Sequence, residues 1–253
     1  MRASQVVFSF FRYRRSHALA AFILMGFQSW VAGRQVPPGA LRLFGCGSGN
    51  GFSIAPDLTR YCLRSIPAEP DELNRLRGTR LYRWAARPSI EQLHFVLRPA
   101  SGHGTWDGDA LFQYSNHGVG DRPFAVLTRA RIAPARTTEF WRSVPEVGCS
   151  VRDASGCAYH IGFGEYPLLR LGTLSIWRDV QSMQAFAYRH GRHHAAIRDA
   201  RARDWFPESM FVRFEIESIQ GDVARYPKLA TLAEEAGIRP GDPILPTPRG
   251  ETG

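Results

Sequence analysis

Lysine is almost absent from this chain: Lys228 is the only one, so arginine carries nearly all of the 32 basic residues and the formal net charge of +9 over 253 residues. Those arginines are scattered, and no helix-turn-helix, zinc-finger or RNP pattern accompanies them, which argues against a nucleic-acid partner. A basic surface of this kind is either simply solvated or meets anionic lipid head groups, each nearby cation adding about 1 kcal/mol of attraction. Cysteine is scarce too. Cys46, Cys62, Cys149 and Cys157 include no Cys-x-x-Cys pair, which excludes a zinc ribbon or a thioredoxin-type site and suits a reducing cytoplasm. No stretch approaches the roughly 20 apolar residues of a membrane-spanning helix. There is also no Gly-x-Ser-x-Gly elbow and no Gly-Lys-Ser/Thr to close a P-loop.

What is present is an apolar content of 44%, enough for a real core, and a repeated order of hydrophobic periods. The first half reads strand (Val6–Phe11), helix (Ser16–Val31), strand (Ala40–Gly45), strand (Thr59–Ile66), helix (Asp71–Trp84), strand (Gln92–Arg98). The second reads strand (Phe124–Ala130), helix (Ala135–Val144), strand (Tyr159–Gly162), strand (Leu171–Trp177), helix, strand (Met210–Ile219). Each half is βαββαβ, and Phe44-Gly-Cys-Gly47 and Ile161-Gly-Phe-Gly164 fall at corresponding strand ends. The expectation is an α+β fold of tandem ferredoxin-like repeats, residues 1–100 and 123–222, able to close their sheets against each other. Between them, 101–122 is a Gly- and Asp-rich linker or lid, with Trp106, Phe112 and Tyr114 to hold it down. Residues 223–253 carry a short helix, Leu229–Ala236, and a Pro- and Gly-rich tail. Arg12-Tyr-Arg-Arg15 before Ala18–Gly26 imitates a leader, but the strand Val6–Phe11 predicts that residues 1–35 stay in the fold.

The densest signal lies in 171–206. Asp179 is placed to cap a helix on which Met183, Phe186 and Ala187 recur at helical spacing, and Gly191 breaks it. Beyond the break, a helical projection puts His193 with Ala196, Ile197 and Ala200, and His194 with Arg198 and Arg201 on the polar flank. A lone helical histidine is more often a packed or surface residue than a ligand, yet an imidazole on an apolar face needs a partner. His190 and His194 have the spacing of a zinc pair, but Gly191 interrupts the helix that would align them and no third ligand lies nearby. The Gly-rich run 45–51 leads into a strand and not into a helix N-terminus, so it is no dinucleotide loop, and Cys46 within it reads as a buried thiol before a haem thiolate.

Several segments resemble the spheroidene monooxygenase family of carotenoid biosynthesis. They are Ser175-Ile-Trp-Arg-Asp-Val-Gln-Ser-Met-Gln-Ala-Phe-Ala-Tyr188, Gly191-Arg-His-His-Ala-Ala-Ile197 and Asp204-Trp-Phe-Pro-Glu-Ser-Met-Phe-Val-Arg-Phe214, joined by Leu43–Phe52 and Phe95–Trp106. In order, they cover most of residues 5–222. The resemblance implies a fold of the dimeric α/β barrel type, a haem cofactor, and the oxidation of an acyclic carotenoid such as spheroidene with O2 and a reduced ferredoxin. Two hydroxylations at one carbon would give a gem-diol that loses water to a ketone. It implies His193 as the iron ligand, with His194 directly after it as the competing choice, and Arg189 and Arg213 as partners for the haem propionates. Trp177, Phe186, Tyr188, Trp205 and Phe206 would line an apolar channel, or else simply pack a core. The protein would be cytoplasmic, with a peripheral contact to the anionic face of the inner membrane. Two other readings stay open: a non-catalytic barrel that binds haem or an apolar ligand, and a cofactor-free barrel monooxygenase.

Overall fold

Strand period and helix period alternate along the chain as the side-chain pattern dictates, and the computed structural model shows where each begins. It describes residues 2–49, 53, 55–69, 72–115, 117–142, 151, 154–165, 169–189, 205–238 and 240–241. The chain divides into two compact units: 1–45, 57–98 and 216–253 in the first, 46–56 and 99–215 in the second.

In the first unit, β1 (Val6–Tyr13) lies antiparallel between β3 (Pro56–Ser65) and β4 (Ser89–Gly104), and β2 (Leu41–Gly47) follows β3, giving the order β4-β1-β3-β2. Alternate residues Phe11 and Tyr13 of β1, with Leu41, Leu43, Tyr61 and Leu63, turn to one side. There they meet α1 (Ala18–Gly26), α2 (Gln28–Ala32), α3 (Glu72–Arg77) and α4 (Arg80–Ala86), whose buried residues Ala21, Leu24, Val31, Leu76, Leu81 and Tyr82 complete that core. Gln28 fixes α2 to the sheet by behaving as one more strand residue. Its Oε1 accepts from the Leu43 N–H at 2.6 Å and its Nε2 donates to the Leu43 carbonyl at 3.0 Å.

Two expected helices prove to be pairs. The helix expected from Ser16 starts with a 3-10 turn at Arg15–His17, and Ser16 does not cap α1, whose N-cap His17 makes no side-chain cap bond. Phe27, with φ −103° and ψ 13°, separates α1 from α2. The helix expected over Asp71–Trp84 breaks at Gly78, and Thr79 restarts it by accepting the Tyr82 N–H on its side-chain oxygen.

In the second unit, β5 (Phe124–Arg131) is flanked antiparallel by β7 (Arg170–Trp177) and β8 (Glu208–Gly221), and β7 pairs with β6 (Cys157–Gly164), so the order is β8-β5-β7-β6. Counting strands within each unit, the succession is fourth, first, third, second both times. One sheet face packs on α5 (Val180–Arg189) through Phe124, Val126, Trp177, Met183 and Phe186. The opposite face is covered by the segment expected to be a lid: Trp106 and Phe112 are buried, the Arg129 guanidinium carbon lies 5.3 Å from the Trp106 ring centre, and Phe112 meets Phe214 edge-on at 5.4 Å. Strand β4 itself runs on to Gly104, past the expected linker start.

The short α6 (Pro227–Glu235) and the two-residue β9 (Pro240–Gly241), parallel to β8, follow. Among the described residues, no helix is long and apolar enough to cross a membrane.

Candidate functional site on the α5 face of the second sheet

Because strand side chains alternate, the register alone reveals what α5 overlies. Val126 of β5 stands opposite Arg213 of β8 on one side and Ser175 of β7 on the other, and Ser175 stands opposite His160 of β6. Arg213, Val126, Ser175 and His160 therefore form one row across four strands. The row before it holds Glu215, Phe124 and Trp177, the last two packed against α5, which places the whole series on the helix-facing side. The row after it is Phe211, Thr128, Thr173 and Gly162. A polar strip thus crosses a face that also carries Phe124, Trp177 and Phe211.

Each polar group in the strip has a distinct state. Trp177 donates its indole N–H to Ser175 Oγ at 2.9 Å, which orients the hydroxyl and holds the tryptophan edge at the strip. The Trp177 ring packs on Phe186 with centres 5.4 Å apart. Burial pushes the His160 imidazole down to about 4, so it is neutral at physiological pH. Arg213 cannot discard its charge. Its guanidinium carbon lies 5.7 Å from the Phe211 ring centre, its Nε–H is buried without a hydrogen-bond partner, and among the described residues no carboxylate pairs with it. A buried, charged donor left unmet costs free energy, so this Nε–H is open to an acceptor.

Arg129, on the opposite face, shows the contrast. It is 2% exposed and reaches Asp107 at 2.7 Å and Glu208 at 2.5 Å. Burial alone would raise the Glu208 carboxyl, but the Gly108 N–H, the Arg129 guanidinium and the Thr105 hydroxyl hold it at about 2. One arginine is saturated, and the other is not.

The chain is 39% identical over 207 residues to the spheroidene monooxygenase of Rubrivivax gelatinosus, covering 78% of each protein. It belongs to the spheroidene monooxygenase family. The enzyme of that name from Rhodobacter capsulatus is 34% identical over 184 residues, 71% of this chain and 76% of the relative. No family model matches the chain. Among solved structures, an aldoxime dehydratase superposes with a TM-score of 0.57 over 84% of this chain and 81% of that one; at 13% identity the likeness is one of fold.

Within this spheroidene monooxygenase family member, the residues expected at the site separate into three groups. Trp177, Phe186 and Arg213 come together on the α5 face. Trp205 and Phe206 do not join them; they pack with Ile132, Phe140, Trp141 and Leu171 in a separate cluster, where Phe140 contacts both edge-on. Tyr188 and Arg189 occupy the last turn of α5, while His193 and His194, like His190, lie outside the described residues. Cys46 is a buried thiol on β2. Among the described residues no His, Cys, Asp and Glu cluster could hold a metal ion. Sequence reading passed over His160 and Ser175, because only cross-strand register, and no spacing along the chain, puts them beside Arg213.

Proposed function

We propose that this protein is a haem-dependent monooxygenase that introduces a keto group into an acyclic, spheroidene-like carotenoid, using O2 and electrons from a reduced ferredoxin. Membership of the family supports the substrate class. The observation that carries the site assignment is the unpartnered, buried Nε of Arg213 on a face with Ser175, neutral His160, Trp177 and Phe186. A planar guanidinium receives a carboxylate through two hydrogen bonds, so Arg213 fits the propionate edge of a haem, and Arg189, which the family resemblance also implies, is the second candidate. His193 is the proposed iron ligand and His194 the competing one. Haem supplies the activation of O2 for insertion into an unactivated C–H bond, which no amino-acid side chain performs.

The chain's own residues bind and orient. Trp177, Phe186 and Phe124 offer an apolar wall to a substrate without charge, and the Ser175 hydroxyl and His160 ring supply neutral hydrogen-bonding groups beside it. Over two turnovers, one CH2 group, two O2, four electrons and four protons become one carbonyl and three waters. The proposed gem-diol needs no further oxidant to lose water.

The test joins a spectrum to a product assay. Purified protein given hemin should show a Soret band that His193→Ala abolishes and His194→Ala leaves near the parent's, and spheroidene with O2 and reduced ferredoxin should yield its ketone. A Soret band without product would leave a haem-binding protein only. Product without bound haem would point to a cofactor-free oxygenase.

We also infer that the two units are tandem ferredoxin-like repeats, supported by the shared element order and by the strand succession found in each. Residues 5–100 and 123–220 should superpose as βαββαβ units, and failure to do so ends that reading.

A further inference from the structure

Helix α1 is apolar all round, yet only one of its faces is packed. Ala21, Leu24 and Val31 face the core of the first unit. On the other side, Leu19, Phe22, Ile23, Gly26, Phe27 and Trp30 follow one another at helical spacing along α1 and α2 and stay in water: Trp30 is 77% exposed, Leu19 69% and Phe27 62%. Trp84, also exposed, extends this surface from α4, against which α2 packs. A stripe of large apolar side chains with no polar opposite face is what a helix shows when something other than water covers it.

The charges nearby identify the cover. The first 56 residues contain no Asp or Glu, and neither does α4. Arg14, Arg15 and Arg34 are exposed around the stripe, and Arg80, Arg83 and Arg87 belong to α4 or its end. A second copy of the chain joined through this face about a two-fold axis would set arginine against arginine with no acid between them, which disfavours self-association. An anionic bilayer satisfies both features, because Trp, Phe and Leu enter the acyl boundary while arginines reach phosphates.

We propose that the outer face of α1 and α2, with Trp84, seats on the surface of an anionic lipid bilayer. At nine residues, α1 is far too short to span one and lies along it. The seat stands on this surface alone; the carotenoid reading only gives it a use, since an apolar substrate is stored in the same phase.

The experiment uses the full chain and vesicles that contain no carotenoid. The protein should sediment with phosphatidylglycerol/phosphatidylcholine vesicles and far less with phosphatidylcholine alone. Phe22→Ser with Trp30→Ser should weaken that binding by about tenfold or more, and Arg14→Gln with Arg15→Gln should weaken it only on anionic vesicles. Because these side chains are exposed, circular dichroism and melting should match the parent. Brominated acyl chains should quench the fluorescence of the parent and quench Trp30→Phe less. Undiminished binding by the Phe22→Ser/Trp30→Ser variant, or no binding by the parent, overturns the proposal. A parent dimer that this variant converts to monomer, with no vesicle binding, would assign the face to self-association instead. Neither result touches the oxygenase reading, which its own spectrum and product assay decide.

Discussion

Two arginines on opposite faces of one sheet illustrate how different a buried cation can be. Arg129 pairs with Asp107 and Glu208; without it Asp107 keeps Arg170 at 3.1 Å and Glu208 keeps the Gly108 N–H and the Thr105 hydroxyl, so Arg129→Met should cost about 1.5–3 kcal/mol in urea unfolding. Arg213 has a buried Nε–H with no hydrogen-bond partner, its guanidinium lying near the Phe211 ring. Arg213→Ala should therefore leave the haem-free protein near parental stability while loosening haem in titrations, without shifting the ligand-field bands. If haem-free Arg213→Ala unfolds as readily as Arg129→Met, the guanidinium is structural and the propionate role falls. Arg213 could be picked out of the sequence because it sits in a recognisable segment. Ser175 and His160 could not: they meet it through strand register. Trp205 and Phe206 pack in a cluster of their own, and adjacency to the 171–197 run says nothing about which cluster a later aromatic joins.

At the level of elements, strand identities and order could be read along the chain because period-two patterns are long and bounded by turn residues. Helix continuity could not. Phe27 and the Gly78-Thr79 pair interrupt otherwise good helical patterns, and what stabilises each interruption is tertiary or capping chemistry, Gln28 on β2 and the Thr79 hydroxyl on Tyr82. Within the 101–122 segment, Trp106, Phe112 and Asp107 meet the sheet face opposite α5, at Arg129 and Phe214. Where β4 passes β8 in the second unit, backbones approach closely. Gly104 has φ +92°, and a Cβ there would stand 2.0 Å from the Ser209 carbonyl oxygen. Gly104→Ala should lower stability by about 1–3 kcal/mol, read as a drop in melting temperature, whereas Gly108→Ala, with a positive φ but open space around it, should cost less. Equal losses would mean that backbone conformation, and not close packing, sets the penalty.

Across the whole molecule, acid should be the vulnerable direction even before carboxylates titrate. Burial, helped by the Arg77 charge, pushes His94 down to about 3, and burial pushes His160 down to about 4. The unfolded chain binds protons at both sites below about 6.5, and the folded chain only below those lower values. Their stabilising contribution is full above pH 6.5 and declines as pH falls toward 3, so the urea midpoint should fall over that window and the slope should flatten in His94→Gln. A midpoint indifferent to pH between 6.5 and 4 would contradict it. The same arginine bias that gives the +9 charge has a practical side. Lys228 stands exposed near the start of α6, and guanidinium groups do not react with amine-selective reagents at neutral pH. Apart from the α-amino group, such a reagent finds one address on the protein. A dye or crosslinker placed there should give a single modified side chain in peptide mapping, a fixed reference point that a protein with lysine spread over its surface could not offer.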